Sequence, residues 1–159
     1  MGRLVPMVDI CIANEEDASD VFGIKAKNTD ISSGTISHDG YKEVAKTLQD
    51  KFGFKKTAIT LRESISASDN NWAAMLYDGK EFYFSKKYPV HIVDRVGGGD
   101  SFGVGLIYGE TQGWNIRDTL EFAVAASCLK HSIEGDYNLI SADEAKKLAG
   151  GDASGRVQR

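Results

Sequence analysis

The sequence predicts an α/β fold with a mostly parallel sheet. Apolar, β-branched runs alternate along the chain with runs of helical period, and one apolar run passes through Gly97-Gly98-Gly99-Asp100 directly into a small-residue helix. In addition, the Asp78-Gly79 pair between two apolar runs places an antiparallel hairpin in the same sheet.

Each element has its own warrant. Residues 8–13 read as a buried strand, and Asn14 followed by Glu15, Glu16 and Asp17 as a capped helix start with acids in the first turn. Residues 26–40 are polar and suit a surface loop. A helix opening at Asp39 or Gly40 carries Tyr41, Val44, Ala45, Leu48 and Phe52 on one face, and Gly53 suits its C-terminal stop. Residues 56–61 form a second strand, residues 62–71 a polar stretch, and residues 72–77 and 81–85 the hairpin. Residues 90–94 lead as a strand into the glycine turn, and the helix after Asp100 runs to Gln112 or Gly113. In a free helix Gly103 and Gly105 would each cost about 1 kcal/mol against Ala, so a ligand, a sheet or another helix must lie close to that face. A longer helix over residues 116–133 is alanine-rich in its middle, as close packing or a flat aromatic pocket requires. Residues 134–138 turn, Ser141 opens a short helix with Glu144 as capping-box partner, and residues 150–159 form a polar tail.

Composition limits the functional classes. The 159 residues are 42% hydrophobic and 26% charged, which suits one globular domain. A net charge of −4 leaves no electrostatic footprint for nucleic acid or an anionic membrane. Cys11 and Cys128 lie far apart in apolar contexts without a CxxC motif, which favours reduced thiols and a cytoplasmic setting over disulfide or metal roles. No apolar span is long enough for a membrane helix, and the opening residues lack the apolar core of a signal peptide.

The glycine turn carries the chemistry. Gly97, Gly98 and Gly99 can take positive φ and bring bare amides to an anion, and the following helix aims its positive end the same way. An acid at that place either caps the helix or acts on the ligand as a base, so Asp100 is the candidate catalytic residue. Ligands of such sheets lie beyond the carboxyl ends of the strands, which puts residues 14–17, 60–62 and 94–100 on one rim. His38 and His91 read as solvated or structural, and His131 as a helix-terminal residue placed for the dipole alone.

The stretch from Asp94 to Leu106 resembles the second signature of the PfkB or ribokinase family of carbohydrate kinases, present here as Gly97-Gly98-Gly99-Asp100. The order Ala13-Asn14-Glu15-Glu16-Asp17, Ile59-Thr60-Leu61-Arg62, glycine turn and alanine-rich helix is similar to the C-terminal half of that fold. Leu61-Arg62-Glu63-Ser64, residues 131–138 and the tail from Gly151 resemble the bacterial 2-keto-3-deoxygluconate kinases of the family. The resemblance implies a ribokinase-like three-layer α/β/α architecture, incomplete, in which residues 1–159 are the C-terminal nucleotide-binding part. It implies ATP-dependent phosphoryl transfer to a sugar-acid hydroxyl, with Asp100 as general base and Gly97, Gly98 and Gly99 as the anion hole. Thr60, Leu61 and Arg62 would lie beside the nucleotide's phosphates or ribose, and Ala126 with Asn138 against its adenine. Mg²⁺ would be held through water near Asn14, where the family's Asn-x-x-Glu ends in Asp17 and Glu16 is also available; Asp94 matches a position that helps hold a monovalent cation, K⁺.

Kinases of this family are about twice this length, and the half implied to be absent would supply the sugar-binding residues. Three outcomes are open: a kinase needing a complementing N-terminal half, a catalytically silent fragment that binds nucleotide or dimerises, or a kinase for another sugar, as fructokinases and ribokinases are.

Overall fold

The computed structural model describes residues 2–24 and 38–151, which divide into two compact units, with the division after Pro89. The expected loop over residues 26–40 lies outside the described residues up to position 37, as does the tail from position 152.

In the first unit four strands run in the order β1 (Ile10–Ala13), β2 (Lys56–Ser64), β3 (Asp69–Tyr77) and β4 (Phe82–Phe84). β1 and β2 pair in parallel from Ile10 opposite Lys56 to Ala13 opposite Ile59, whereas β2–β3 and β3–β4 pair antiparallel, so the sheet is mixed. The α/β class is as expected, and the parallel pairing lies at β1–β2, where helices make the crossover. Those helices are α1 (Glu15–Phe22) and α2 (His38–Phe52). The predicted face of α2 is the one that packs: Tyr41, Val44, Ala45 and Leu48 are buried with Ile59, Leu61, Ala73 and Met75 in one apolar cluster.

In the first unit the strands differ from the expected ones chiefly at the polar ends of β2 and β3 and in the hairpin loop. Residues 62–64 continue β2 and residues 69–71 begin β3. Their side chains are polar, but the ladder persists because Asn71 donates to Glu63 at 2.9 Å and the Ser66 hydroxyl donates to Asp69 across the connecting turn at 2.7 Å. The hairpin after β3 pairs Tyr77 with Phe82, which makes its loop residues 78–81 rather than a bare Asp-Gly pair. The Asp78 carboxylate closes it by accepting the Lys80 and Glu81 amides at 2.8 and 2.7 Å, while Gly79 takes φ of 90°.

A short strand, β5 (Tyr88–His91), leads into the second unit; it ends three residues before the expected strand over residues 90–94 does, because the Val93 and Asp94 amides bond to the His131 carbonyl instead. There α3 (Gly98–Thr111), α4 (Ile116–Lys130) and α5 (Ala142–Ala149) pack together. α3 and α4 form an antiparallel pair whose backbones approach closely over small residues. A Cβ on Gly105 would meet the Ala123 Cα at 2.6 Å, and one on Gly109 the Thr119 side chain at 2.7 Å. The close neighbour required at Gly105 is therefore a helix. Tyr108, Trp114 and Phe122 cluster at the far end, with centroids 5.3 to 5.4 Å apart. α4 ends three residues earlier than expected: Ile133 N–H bonds back to the Lys130 carbonyl, and the chain turns away through Gly135 at φ of 78°. The Ser141–Glu144 capping box of α5 is present as predicted.

Among the described residues no helix is long and apolar enough to cross a membrane. Cys11 and Cys128 are free and half-buried; burial pushes both thiols up to about 11, the Asp17 charge adding to the effect at Cys11.

Candidate active site

The turn that opens α3 is held from behind by the end of α4. The amides of Val93 and Asp94 both donate to the His131 carbonyl, at 2.8 and 3.2 Å. The Asp94 carboxylate then spans two loops: one oxygen accepts from Val96 N–H at 3.0 Å, the other from Gly135 N–H at 2.8 Å. These two amides, with the nearby positive charge of Lys130, hold the Asp94 carboxyl below the ordinary carboxylate range.

The glycines serve different needs. Gly97 is the N-cap of α3 at φ of 78°, and a Cβ there would lie 2.6 Å from the Asp136 carbonyl oxygen. Gly98 is buried, and a Cβ on it would strike the His131 ring at 2.7 Å; its carbonyl accepts from the buried Ser127 hydroxyl at 2.8 Å. Gly99 has nothing within 4 Å of its would-be Cβ and lies exposed beside exposed Asp100. Sterics thus require glycine at 97 and 98, whereas position 99 faces open space.

Asp100 stands in the first turn of α3, where backbone N–H groups lack intrahelical acceptors and the helix dipole is positive. It opens on a cavity of about 340 Å³ that Gly97, Ser101, Ala126 and Asn138 also line. Asn138 donates from its amide to the buried Ser101 hydroxyl at 2.9 Å and accepts the Ile140 amide at 3.2 Å, which fixes its side chain at the cavity wall. Apolar walls come from Val104, Tyr108 and Phe122, so the cavity is mostly apolar with a few polar groups at its rim, beside the N-terminal end of α3. Asp100, Gly97, Ala126 and Asn138, separated by up to 41 positions in sequence, are brought together here.

The first unit holds a smaller cavity, about 80 Å³, lined by Asn14, Glu16, Thr60, Arg62 and Trp72. Thr60 and Arg62, two apart on β2, share the side of the sheet onto which the Asn14 turn opens. Leu61 between them points the other way: its side chain is buried in the apolar cluster and does not line the cavity. Asn14 and Asp17 form a complete capping box. The Asn14 side-chain Oδ1 accepts the Glu16 and Asp17 backbone amides at 2.8 Å each, and the Asp17 carboxylate accepts the Asn14 backbone N–H at 2.9 Å. Among the described residues no group of three or more His, Cys, Asp or Glu side chains is placed to enclose a metal ion. With the Asn14 side-chain oxygen taken by two amides, the Glu16 carboxylate is the oxygen donor of this cavity that suits a hydrated Mg²⁺ held through its waters.

Residues 1–143 match the pfkB family carbohydrate kinase model. The chain belongs to the pfkB family of carbohydrate kinases. The structure of 2-dehydro-3-deoxygluconokinase from Thermotoga maritima is similar at 44% identity and a TM-score of 0.85, over 94% of this chain and 43% of that one. A PfkB family carbohydrate kinase from Listeria grayi is similar at 33% identity and a TM-score of 0.76, over 93% of this chain and 43% of that one. Among curated relatives, a 5-dehydro-2-deoxygluconokinase of Clostridium perfringens is 28% identical over 78% of this chain and 36% of its own length. The pfkB chain described here thus spans well under half the length of the relatives it matches.

Several residues of the turn were not read from the sequence. Ser127, Lys130 and His131 of α4 support it, and Ser101 orients Asn138. His131 in particular is not a dipole-placed surface residue: it is buried, its Nδ1 lies 2.7 Å from the Ser127 carbonyl, and its ring packs on Gly98. The available signal was periodicity. Ala123, Ser127 and His131 recur every fourth residue, so the close-packed face of α4 runs directly under the glycine turn.

Proposed function

We propose that this chain supplies the nucleotide-binding and catalytic-base part of a kinase that transfers the γ-phosphoryl group of ATP to a sugar-acid hydroxyl, forming 2-keto-3-deoxygluconate 6-phosphate. The observation that carries this reading is Asp100, set in the first turn of α3 on the rim of the Ala126–Asn138 cavity. Asp100 takes the proton of the acceptor hydroxyl as that oxygen attacks phosphorus. The amides of Gly97, Gly99 and Asp100 and the α3 dipole hold the charge on the transferring group, while the Gly98 amide donates to the Arg95 carbonyl at 3.3 Å. The adenine occupies the 340 Å³ cavity against Ala126, with Asn138 as its polar contact. In the first unit Thr60 and Arg62 are nucleotide contacts, and Leu61 contributes by holding the strand. Bound Mg²⁺ would neutralise phosphate charge; because Asp17 is committed to the capping box, Glu16 is the acid that orients its water. Choice of acceptor rests on the 44% identity to the Thermotoga maritima kinase. The free half-buried thiols favour a reducing, cytoplasmic setting.

Titration calorimetry with MgATP, together with a coupled assay on 2-keto-3-deoxygluconate, ribose and fructose, tests this. Turnover that disappears in Asp100→Asn while MgATP still binds supports the kinase. MgATP binding without turnover on any acceptor, even when the N-terminal part of a relative is added, supports a second reading favoured by the self-contained cavity, a nucleotide-binding module. Absence of nucleotide binding by a folded sample removes both.

A further inference from the structure

Lys130, the last residue of α4, is wholly buried. Its ammonium donates to the Ile133 carbonyl at 3.0 Å, in the loop that follows α4. Its Cε lies 3.2 Å from where a Gly97 Cβ would stand, so the side chain runs directly beneath the turn that opens α3. Asp94 draws the same two loops together, accepting from Val96 on one side and Gly135 on the other, and feels the positive charge of Lys130. A buried cation is strongly disfavoured unless carbonyl and carboxylate oxygens surround it. Here the Ile133 carbonyl accepts from it, and the Asp94 carboxylate lies near enough to feel its charge, where Asp94 draws two loops together.

We infer that the Lys130 ammonium is a built-in cation beneath the glycine turn, standing where the family resemblance assigns a soluble monovalent cation to Asp94, so that this chain needs no K⁺. Both species carry one positive charge and are held by oxygen atoms; the covalent tether removes the cost of capturing an ion from solution. Lys130 is a positioning residue: it fixes the separation of the Asp94 and Ile133 loops, and through Gly97 the amides that receive the anion. The consequence for nucleotide binding rests on the function proposed above, whereas independence from K⁺ in the unliganded fold does not.

The test compares KCl, NaCl and choline chloride at equal ionic strength, reading the thermal midpoint of the unliganded chain and its MgATP affinity. For the unmodified chain both are expected to be the same in all three salts. Lys130→Ala opens room for an ion: its MgATP affinity in choline should fall by about tenfold, the worth of one charge-assisted hydrogen bond, and KCl should restore part of it and raise the midpoint. A KCl-dependent rise in midpoint or affinity of the unmodified chain overturns the inference, as does Lys130→Ala binding MgATP in choline as tightly as the parent. If the variant does not fold, the salt series on the unmodified chain still decides. If no MgATP binds, the kinase reading fails, and the midpoints alone judge the inference.

Discussion

The Asn14 turn of the first unit and the glycine turn of the second are both helix openings that follow a strand, yet they are built in opposite ways. At Asn14 every stabilising bond is local: Asn14, Glu16 and Asp17 satisfy one another within three residues. At Gly97 the N-cap has no side chain, and support comes from Ser127, His131 and Gly135, about thirty to forty positions away. A turn capped by its own side chains uses up the acceptors and amides that form the cap. A turn of bare glycines leaves first-turn amides for an external anion, and its shape then has to be imposed by packing.

The largest expected effect falls on the chemistry of the glycine turn. If the proposed function holds, replacing Asp100 by Asn should lower phosphoryl transfer by about 10²- to 10⁴-fold, as loss of a general base does, with MgATP affinity changed little; a coupled assay beside calorimetry checks it. If rate and affinity fall together, Asp100 holds ligand instead. Next in size is the steric contrast within the glycines. Gly98→Ala drives a methyl into the His131 ring and should cost about 1–3 kcal/mol, while Gly99→Ala enters open space and should gain about 0.5 kcal/mol of helix propensity. Urea denaturation of both variants measures this, and equal midpoints would break the claim that packing dictates position 98.

On the other side of the comparison, Asn14→Ala should cost about 1 kcal/mol, the usual worth of an N-cap, without altering the second unit's cavity. A loss of several kcal/mol would mean that Asn14 supports more than its own helix. The smallest effect concerns the other local cap. Ser141 N–H, and then the Ser141 hydroxyl, lower the Glu144 pKa. Because the folded value lies below the unfolded one, near 4.3, the cap's contribution is complete above that pH and fades as pH falls through the lower folded value. Thermal scans from pH 6 to 3 should therefore show a shallower acid-side decline for Glu144→Gln than for the parent. Parallel curves would show that the carboxylate's charge adds nothing there.

This contrast also accounts for what could be read from the sequence. The caps at Asn14 and Ser141, the apolar face of α2 and the glycine turn and helix around Asp100 depend on residues within a turn or two of one another, so their spacing carries them. The polar ends of β2 and β3 were misjudged because backbone pairing there is secured by cross-strand contacts such as Asn71 to Glu63, which no single segment displays. The burial of His131 and Lys130 was equally hidden: each follows an apolar helical run where a charged terminal residue ordinarily faces water.

By itself the sequence determined the α/β class, the elements and the acid that follows the glycines, because periodicity, capping and glycine content act over a few residues. The tertiary structure decided which glycines are sterically required, that Asp100 shares a cavity with Ala126 and Asn138, and that a lysine lies beneath the turn. Those facts depend on the close approach of α3 and α4 and on the loop that returns through Gly135, and the distances that fix them exist only once the helices have packed.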